Sequence, residues 1–230
     1  MQQLIFDLAA PVAPTFASFV AGPNAEAVAV LARAAAGQVA ETAILVWGPP
    51  GAGRTHLLRA AVAAAAPGRS AAFHADPATA PAEPPAPGAL VAVDDVDRAD
   101  PAAQARLFTL FNGLQASGGQ LVAAAAGPPA RLPLRDDLRT RLGWGLVYEV
   151  APLTDADKPA ALARFARERG FRLGDDVIAY LLVHGRRDMG ALVATLTALD
   201  RYALAGKRQV TVPLLREWLQ HEMALRPREG

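Results

Sequence analysis

Cysteine is absent from the 230 residues, which excludes disulfide bonds, thiolate metal sites and a cysteine nucleophile. Lysine is nearly absent. Lys158 and Lys207 are the only two, so 21 of the 23 basic residues are arginine. The four histidines, at 56, 74, 184 and 221, show no metal-ligand spacing. A surplus of charge is missing too: the net charge of +1 provides no global field of the kind a nucleic-acid binder uses. No apolar run reaches the roughly 20 residues that span a bilayer. The first residues carry no basic region of a signal peptide. A soluble, cytoplasmic protein without a membrane partner is expected. What is abundant is alanine, 53 residues, and it inflates the apolar share to 52%. With 20% charged residues, this composition suits a packed core in one larger domain with a small appendage.

Short apolar runs separated by helical stretches organise the first two thirds. Runs at Ala43–Trp47, Ala71–Ala75, Ala89–Val93, Gln120–Ala125 and Leu146–Val150 are of strand length and apolar nearly throughout. Strands of that kind are covered on both faces, as in a parallel sheet. Helices are expected at Thr55–Ala66, Pro101–Ala116 and Leu134–Leu142, and the alternation predicts an α/β domain. Asn24 is placed to cap a helix ending at Ala36, with Gly37 after it. The proline-rich stretch Asp76–Gly88 reads as an exposed extended loop without catalytic content. After Pro152 the strand pattern stops. Thr154, Asp155 and Asp157 begin a helix to Arg169, and Asp175–His184, Asp188–Ala205 and Pro213–Met223 complete a helical tail. The predicted division is an N-terminal peptide 1–10, an α/β domain 11–152 and a helical domain 153–230.

Gly48-Pro49-Pro50-Gly51-Ala52-Gly53-Arg54-Thr55 follows an apolar run and opens a helix, the context of a phosphate-binding loop. Glycines let the backbone curl so that its N–H groups, with the helix N-terminus, hold polyphosphate. Thr55 would supply a hydroxyl to Mg²⁺. Arg54 stands where a lysine is usual. It keeps the charge but replaces a compact ammonium by a planar fork. Leu90-Val91-Ala92-Val93 ends in Asp94 and Asp95: Asp94 would hold Mg²⁺ and Asp95 would sit near an attacking water. The bland alternatives are a Gly/Pro turn and a solvated acidic turn.

Phosphate loop, paired acids, five strands and a helical tail resemble an AAA+ domain with its lid, and in detail the DnaA replication-initiator group. Phe16-Ala17-Ser18-Phe19-Val20-Ala21-Gly22-Pro23-Asn24 is similar to that group's segment before the first helix. The resemblance implies that Phe19 and Val20 line an adenine pocket. Gly51-Ala52-Gly53-Arg54-Thr55-His56-Leu57-Leu58 is similar to its phosphate loop, which adds His56 to the nucleotide site. Leu138-Arg139-Thr140-Arg141-Leu142-Gly143-Trp144-Gly145 resembles its arginine-finger segment, which makes Arg141 a catalytic group acting in trans on a neighbour's ATP. Arg187-Asp188-Met189 resembles the lid's sensor-arginine segment, with Arg187 on the nucleotide.

A chain of this kind that stops after the lid, without a DNA-binding domain, resembles the Hda group of DnaA regulators. Such proteins carry a short N-terminal motif for the DNA polymerase sliding clamp, and Gln3-Leu4-Ile5-Phe6-Asp7-Leu8 is similar to it, with Gln3, Leu4, Phe6 and Leu8 as contacts. The alternative for these residues is packing on the parent sheet. Leu121-Val122-Ala123-Ala124-Ala125-Ala126 occupies the place of a polar sensor in AAA+ ATPases, and alanine cannot orient water. With Arg54, this implies bound ADP or ATP and Mg²⁺ with weak hydrolysis. The expected function is inactivation of DnaA by stimulating hydrolysis of its ATP. DNA would be contacted at most through the clamp, and a homo-oligomer is possible. The alternatives are a loader-type ATPase and a hydrolysis-dead interaction module. The bland reading of Arg141 is an ion pair with neighbouring acids, and that of Arg187 a surface charge.

Overall fold

The computed structural model describes residues 14–185 and 189–225. It divides the chain into two compact units, the first ending at Pro152 and the second taking in the chain from Leu153.

The first unit is built on five strands, β1 (Ala43–Trp47), β2 (Ala71–His74), β3 (Leu90–Val93), β4 (Gln120–Ala125) and β5 (Leu146–Glu149). All pairings are parallel, in the order β2-β3-β4-β1-β5. Side chains alternate between the two faces of a strand, and here both faces are covered. Leu45, Val91, Val93, Leu121 and Ala123 pack against α3 (Pro101–Ser117) and α4 (Asp136–Trp144). Their neighbours Ile44, Val46, Leu90, Ala92 and Val122 pack against α1 (Ala25–Ala35) and α2 (Arg54–Ala63). Two-sided burial explains why the runs read as nearly continuous apolar sequence.

Helix ends follow local chemistry. Gly37, at φ +73°, ends α1: its N–H reaches Ala34 O and that of Gln38 reaches Arg33 O, satisfying orphan carbonyls. Asp100 caps α3 through a 2.6 Å bond from Ala103 N. Asn24 holds the N-cap position of α1 without making a cap bond. Its amide turns to Ala151 instead, donating to the carbonyl at 2.9 Å and accepting from the N–H at 2.8 Å. The side chain that reads as a cap therefore fastens the start of α1 to the chain just after β5.

The stretch Asp76–Gly88 is less exposed than expected. Pro77 and Ala80 are buried, Asp76 caps a single 3-10 turn, and a Cβ on Gly113 would meet Pro84 at 2.6 Å. Arg69 is the main polar tie at the opposite end of the sheet. Its guanidinium donates to Ala34 O, Ala35 O, Gly88 O and Gln120 Oε1, and burial pulls its pKa down.

The second unit contains α5 (Lys158–Glu168), α6 (Asp175–His184), α7 (Met189–Ala205) and α8 (Val212–Leu225) around Leu162, Ile178, Leu181, Leu192, Leu196, Leu214 and Leu215. Helix α5 starts at Lys158, not Thr154: Pro159 favours a first turn there. Thr154–Asp157 forms a hydrogen-bonded turn before it, Thr154 Oγ1 donating to Asp157 Oδ2 at 2.6 Å. Among the described residues no helix is long and apolar enough to cross a membrane.

Candidate nucleotide site and the arginine of helix α4

The phosphate-loop segment joins β1 to α2 at the carboxyl end of the sheet, where open α/β sheets bind ligands. Its conformation needs glycine at two positions. A Cβ on Gly48 would stand 2.2 Å from Val150 O. Gly53 has φ +98°, and a Cβ there would stand 2.6 Å from the Phe19 ring. Pro49, Pro50 and Gly51 form the exposed tip, while Ala52 is buried. Gly53 is the N-cap of α2 and provides no side-chain cap. The helix N-terminus is thereby left to an external acceptor.

The predicted acids lie opposite this loop. Strand β4 separates β1 from β3 and presents only Ala124 and Ala125 at its end. Thr55 Oγ1 donates to Asp94 Oδ2 at 2.5 Å, and Asp94 is 5% exposed. Arg54 Nη2 lies 3.5 Å from Asp95 Oδ1, with the arginine side chain 12% exposed. Asp95 adopts φ 45°, ψ 44°, a left-handed conformation uncommon outside glycine. It is held there by its own N–H on Asp94 Oδ1 at 3.0 Å and by Arg98 at 3.3 Å. Burial first, and then the charge of Asp94, push the Asp95 carboxyl above its ordinary range, while Arg54 and Arg98 oppose the shift. At the end of β4 the polar group is Asp97, whose carboxylate accepts from Ala126 N at 3.1 Å.

Two features test whether these residues suit a bound nucleotide. Arg54 Nη1 is buried and has no hydrogen-bond partner. A buried guanidinium donor left unmatched is costly, and a phosphate oxygen would satisfy it. Among the described residues, no three His, Asp or Glu side chains form a metal cage. One hydroxyl and one carboxylate, Thr55 and Asp94, are nonetheless what Mg²⁺ takes when phosphates and waters complete its shell. The residues fit a magnesium–nucleotide.

The segment before α1 closes over the loop. His56 Nε2 lies 2.9 Å from Thr15 O and 3.2 Å from Ser18 Oγ, and its ring is 5.5 Å from Phe19. Val20 follows, half-buried. A cavity of about 510 Å³ opens farther along, between the start of α1 and β5, lined by Glu26 and Tyr148 among others. No residue of the phosphate loop lines it.

Arg141 lies elsewhere, on α4. The expected pairing with adjacent acids is made by other residues: Arg135 takes Asp137 at 2.7 Å, and Arg139 takes Asp136. Among the described residues no carboxylate is within ion-pair distance of Arg141. Its guanidinium carbon instead lies 5.5 Å from the Phe111 ring and 5.8 Å from those of Phe108 and Trp144, and Trp144 is 76% exposed. Sequence reasoning missed Phe108 and Phe111, although Phe108/Phe111 and Arg141/Trp144 each show the i, i+3 spacing that shares a helix face. It missed Arg98 too, three residues after Asp95. Arg187 and the residues Gln3, Leu4, Phe6 and Leu8 lie outside the described residues.

This arrangement has the fold of an AAA+ domain followed by a helical lid. Domain III of the replication initiation protein DnaA from Thermotoga maritima matches with a TM-score of 0.75 at 21% identity, over 92% of this chain and 98% of that one. AMPPCP-bound DnaA from Aquifex aeolicus matches with a TM-score of 0.65 at 21% identity, over 81% of this chain and 64% of that one. The Thermotoga maritima RuvB Holliday junction branch migration motor reaches 0.66 at 16% identity, over 90% and 71%. In fold the chain is similar to the AAA+ domain of DnaA. Its helical unit narrows the likeness further, because residues 155–219 match the family described as Hda, lid domain.

Proposed function

We propose that this chain is a regulator of replication initiation that holds ADP at its own phosphate loop and supplies Arg141 to ATP bound on DnaA. Gln3, Leu4, Phe6 and Leu8 dock it on the DNA polymerase sliding clamp, and DnaA is inactivated when its ATP is hydrolysed. The Hda-type lid over residues 155–219 supports the assignment to this regulatory class.

The chain's own nucleotide is retained, not turned over rapidly. Gly48–Thr55 and the N-terminus of α2 hold phosphates, and Phe19, Val20 and His56 stand beside them. Bound Mg²⁺ would neutralise phosphate charge from Thr55 and Asp94. Hydrolysis needs a free acid and a polar group at the end of β4. Asp95 is engaged by two arginines, and the polar group at the end of β4, Asp97, already accepts from Ala126 N, so both are compromised.

The observation that carries the proposal is Arg141. Arg135 and Arg139 pair with Asp137 and Asp136, whereas Arg141 has no carboxylate within ion-pair distance among the described residues. An arginine supplied in trans stabilises charge spreading over the transferring phosphoryl oxygens, worth roughly 10³–10⁵ in rate, or about 4–7 kcal/mol. A surface pair would contribute roughly 1 kcal/mol or less, and to stability. The test is the ATP remaining on DnaA after incubation with clamp loaded on DNA and either wild type or Arg141→Ala. Stimulation should disappear in the variant while folding and clamp binding persist. Wild-type rates from the variant would remove Arg141 from the mechanism.

A further inference from the structure

We infer that Asp95 sets a preference of this site for nucleoside diphosphate over triphosphate, acting through Arg54. The inference rests on the nucleotide reading above and adds to it a positioning residue and a direction.

Arg54 divides its fork between two directions. Nη2 is engaged by Asp95 at 3.5 Å, while Nη1 is buried without a partner. A planar guanidinium can hold a carboxylate with one nitrogen and offer the other to a phosphate oxygen; an ammonium has one nitrogen for both tasks. Arg54 therefore approaches the ligand already carrying a carboxylate. That carboxylate is fixed in place by the left-handed backbone of Asp95, by its N–H bond to Asp94 and by Arg98.

In a phosphate loop the backbone donors take the inner phosphates and the cation reaches the outermost ones. The terminal phosphate is thus the group that meets the Arg54–Asp95 pair. A diphosphate needs one donor there, and Nη1 is one donor. A triphosphate brings a further anionic group towards Asp95 while the arginine charge is already shared. In a half-buried site, like charges at short range are poorly screened. Asp95 would also be occupied in the role that hydrolysis asks of it, which joins diphosphate preference and weak turnover to one contact.

The test is calorimetry of ADP and ATP, each with Mg²⁺, on the full chain as wild type, Asp95→Asn, Asp95→Gly and Asp95→Glu. Asparagine and glycine both accept a left-handed backbone, so the first two remove the charge without straining the turn. Wild type should bind ADP more tightly. The Asn and Gly variants should each move the ratio of the two Kd values about tenfold towards ATP. Asp95→Glu should keep the wild-type preference. A merely structural role for Asp95 would weaken both nucleotides alike and leave the ratio where it was. An unchanged ratio in both neutral variants, with wild type binding normally, overturns the inference alone. Failure of wild type to bind either nucleotide overturns the site reading and the inference together.

Discussion

Arg54 and Arg141 are treated in opposite ways by their surroundings. Arg54 is 12% exposed, set against Asp95, and left with one unmatched buried nitrogen. Arg141 lies beside the rings of Phe108, Phe111 and Trp144 and, among the described residues, has no acid within ion-pair distance. On the function proposed above, the two environments suit different destinations for the charge. An arginine already sharing its charge with a carboxylate is suited to a ligand that stays. Aromatic faces hold a guanidinium by only about 0.5–1 kcal/mol at an exposed site, so they orient Arg141 without consuming its charge.

The comparison can be tested in order of effect. Apart from the rate effect at Arg141, the largest is expected at Arg54 itself. Arg54→Ala removes a charged donor from the phosphates and should weaken nucleotide binding about 10–100-fold by calorimetry, since bonds to charged groups contribute about 1.5–3 kcal/mol. It should leave α4 untouched. Asn24→Ala comes next. Asn24 is 3% exposed and its amide satisfies both polar groups of Ala151. Its loss should cost about 1–3 kcal/mol in thermal or urea unfolding, because the half-buried backbone groups of Ala151 lose their partners. Asp136→Asn should cost less than about 1 kcal/mol, since Asp136 is 89% exposed and its pair with Arg139 is solvated. That small effect, beside unchanged stimulation of ATP hydrolysis on DnaA, would separate the acids of α4 from the role proposed for Arg141.

The smallest effect sharpens the account by way of a control. Asp200 is a buried acid in the helical unit, and burial raises its pKa despite the opposing charge of Arg169. A raised folded pKa gives stability that is complete below the unfolded value and is lost as pH rises through the folded one. Asp200→Asn should therefore melt slightly higher than wild type at neutral pH, and the difference should vanish in acid, where the aspartate is protonated. Trp218 packs on the core of the same unit and reports the transition by fluorescence. Nucleotide affinity should not change.

Much of this fold is legible because burial on both faces writes itself into sequence. Ala43–Trp47 and Gln120–Ala125 were expected at the bounds where β1 and β4 lie, and Asp175–His184 where α6 lies. Local chemistry is equally readable: Gly37 closes α1 and Asp94 faces Thr55. Long-range polar pairing is not. Nothing in the pattern says that Asn24 leaves its own helix for Ala151, or which of 21 arginines turns inward to join Ala34, Gly88 and Gln120 as Arg69 does. The strand order is equally hidden, since periodicity reports burial and not neighbours. At the candidate site the residue types were legible and their pairing was not. Arg54 read as a phosphate ligand, but its division between Asp95 and an unmatched nitrogen needed coordinates. For Arg141 the adjacent acids suggested ion pairs, and only the geometry of α4 assigns them to Arg135 and Arg139.

The central claim is that one arginine serves the chain's own nucleotide and the other serves a partner's. The most direct measurement follows single-turnover hydrolysis of ATP on DnaA, with clamp on DNA, by wild type and Arg141→Lys, while labelled ADP retained by the chain is counted in the same reaction. Lysine keeps the charge but lacks the planar fork. The account predicts equal ADP retention and a hydrolysis rate lowered by roughly 10²-fold or more. A wild-type rate from the lysine variant, or a loss of ADP in step with the loss of rate, would contradict the separation of the two arginines.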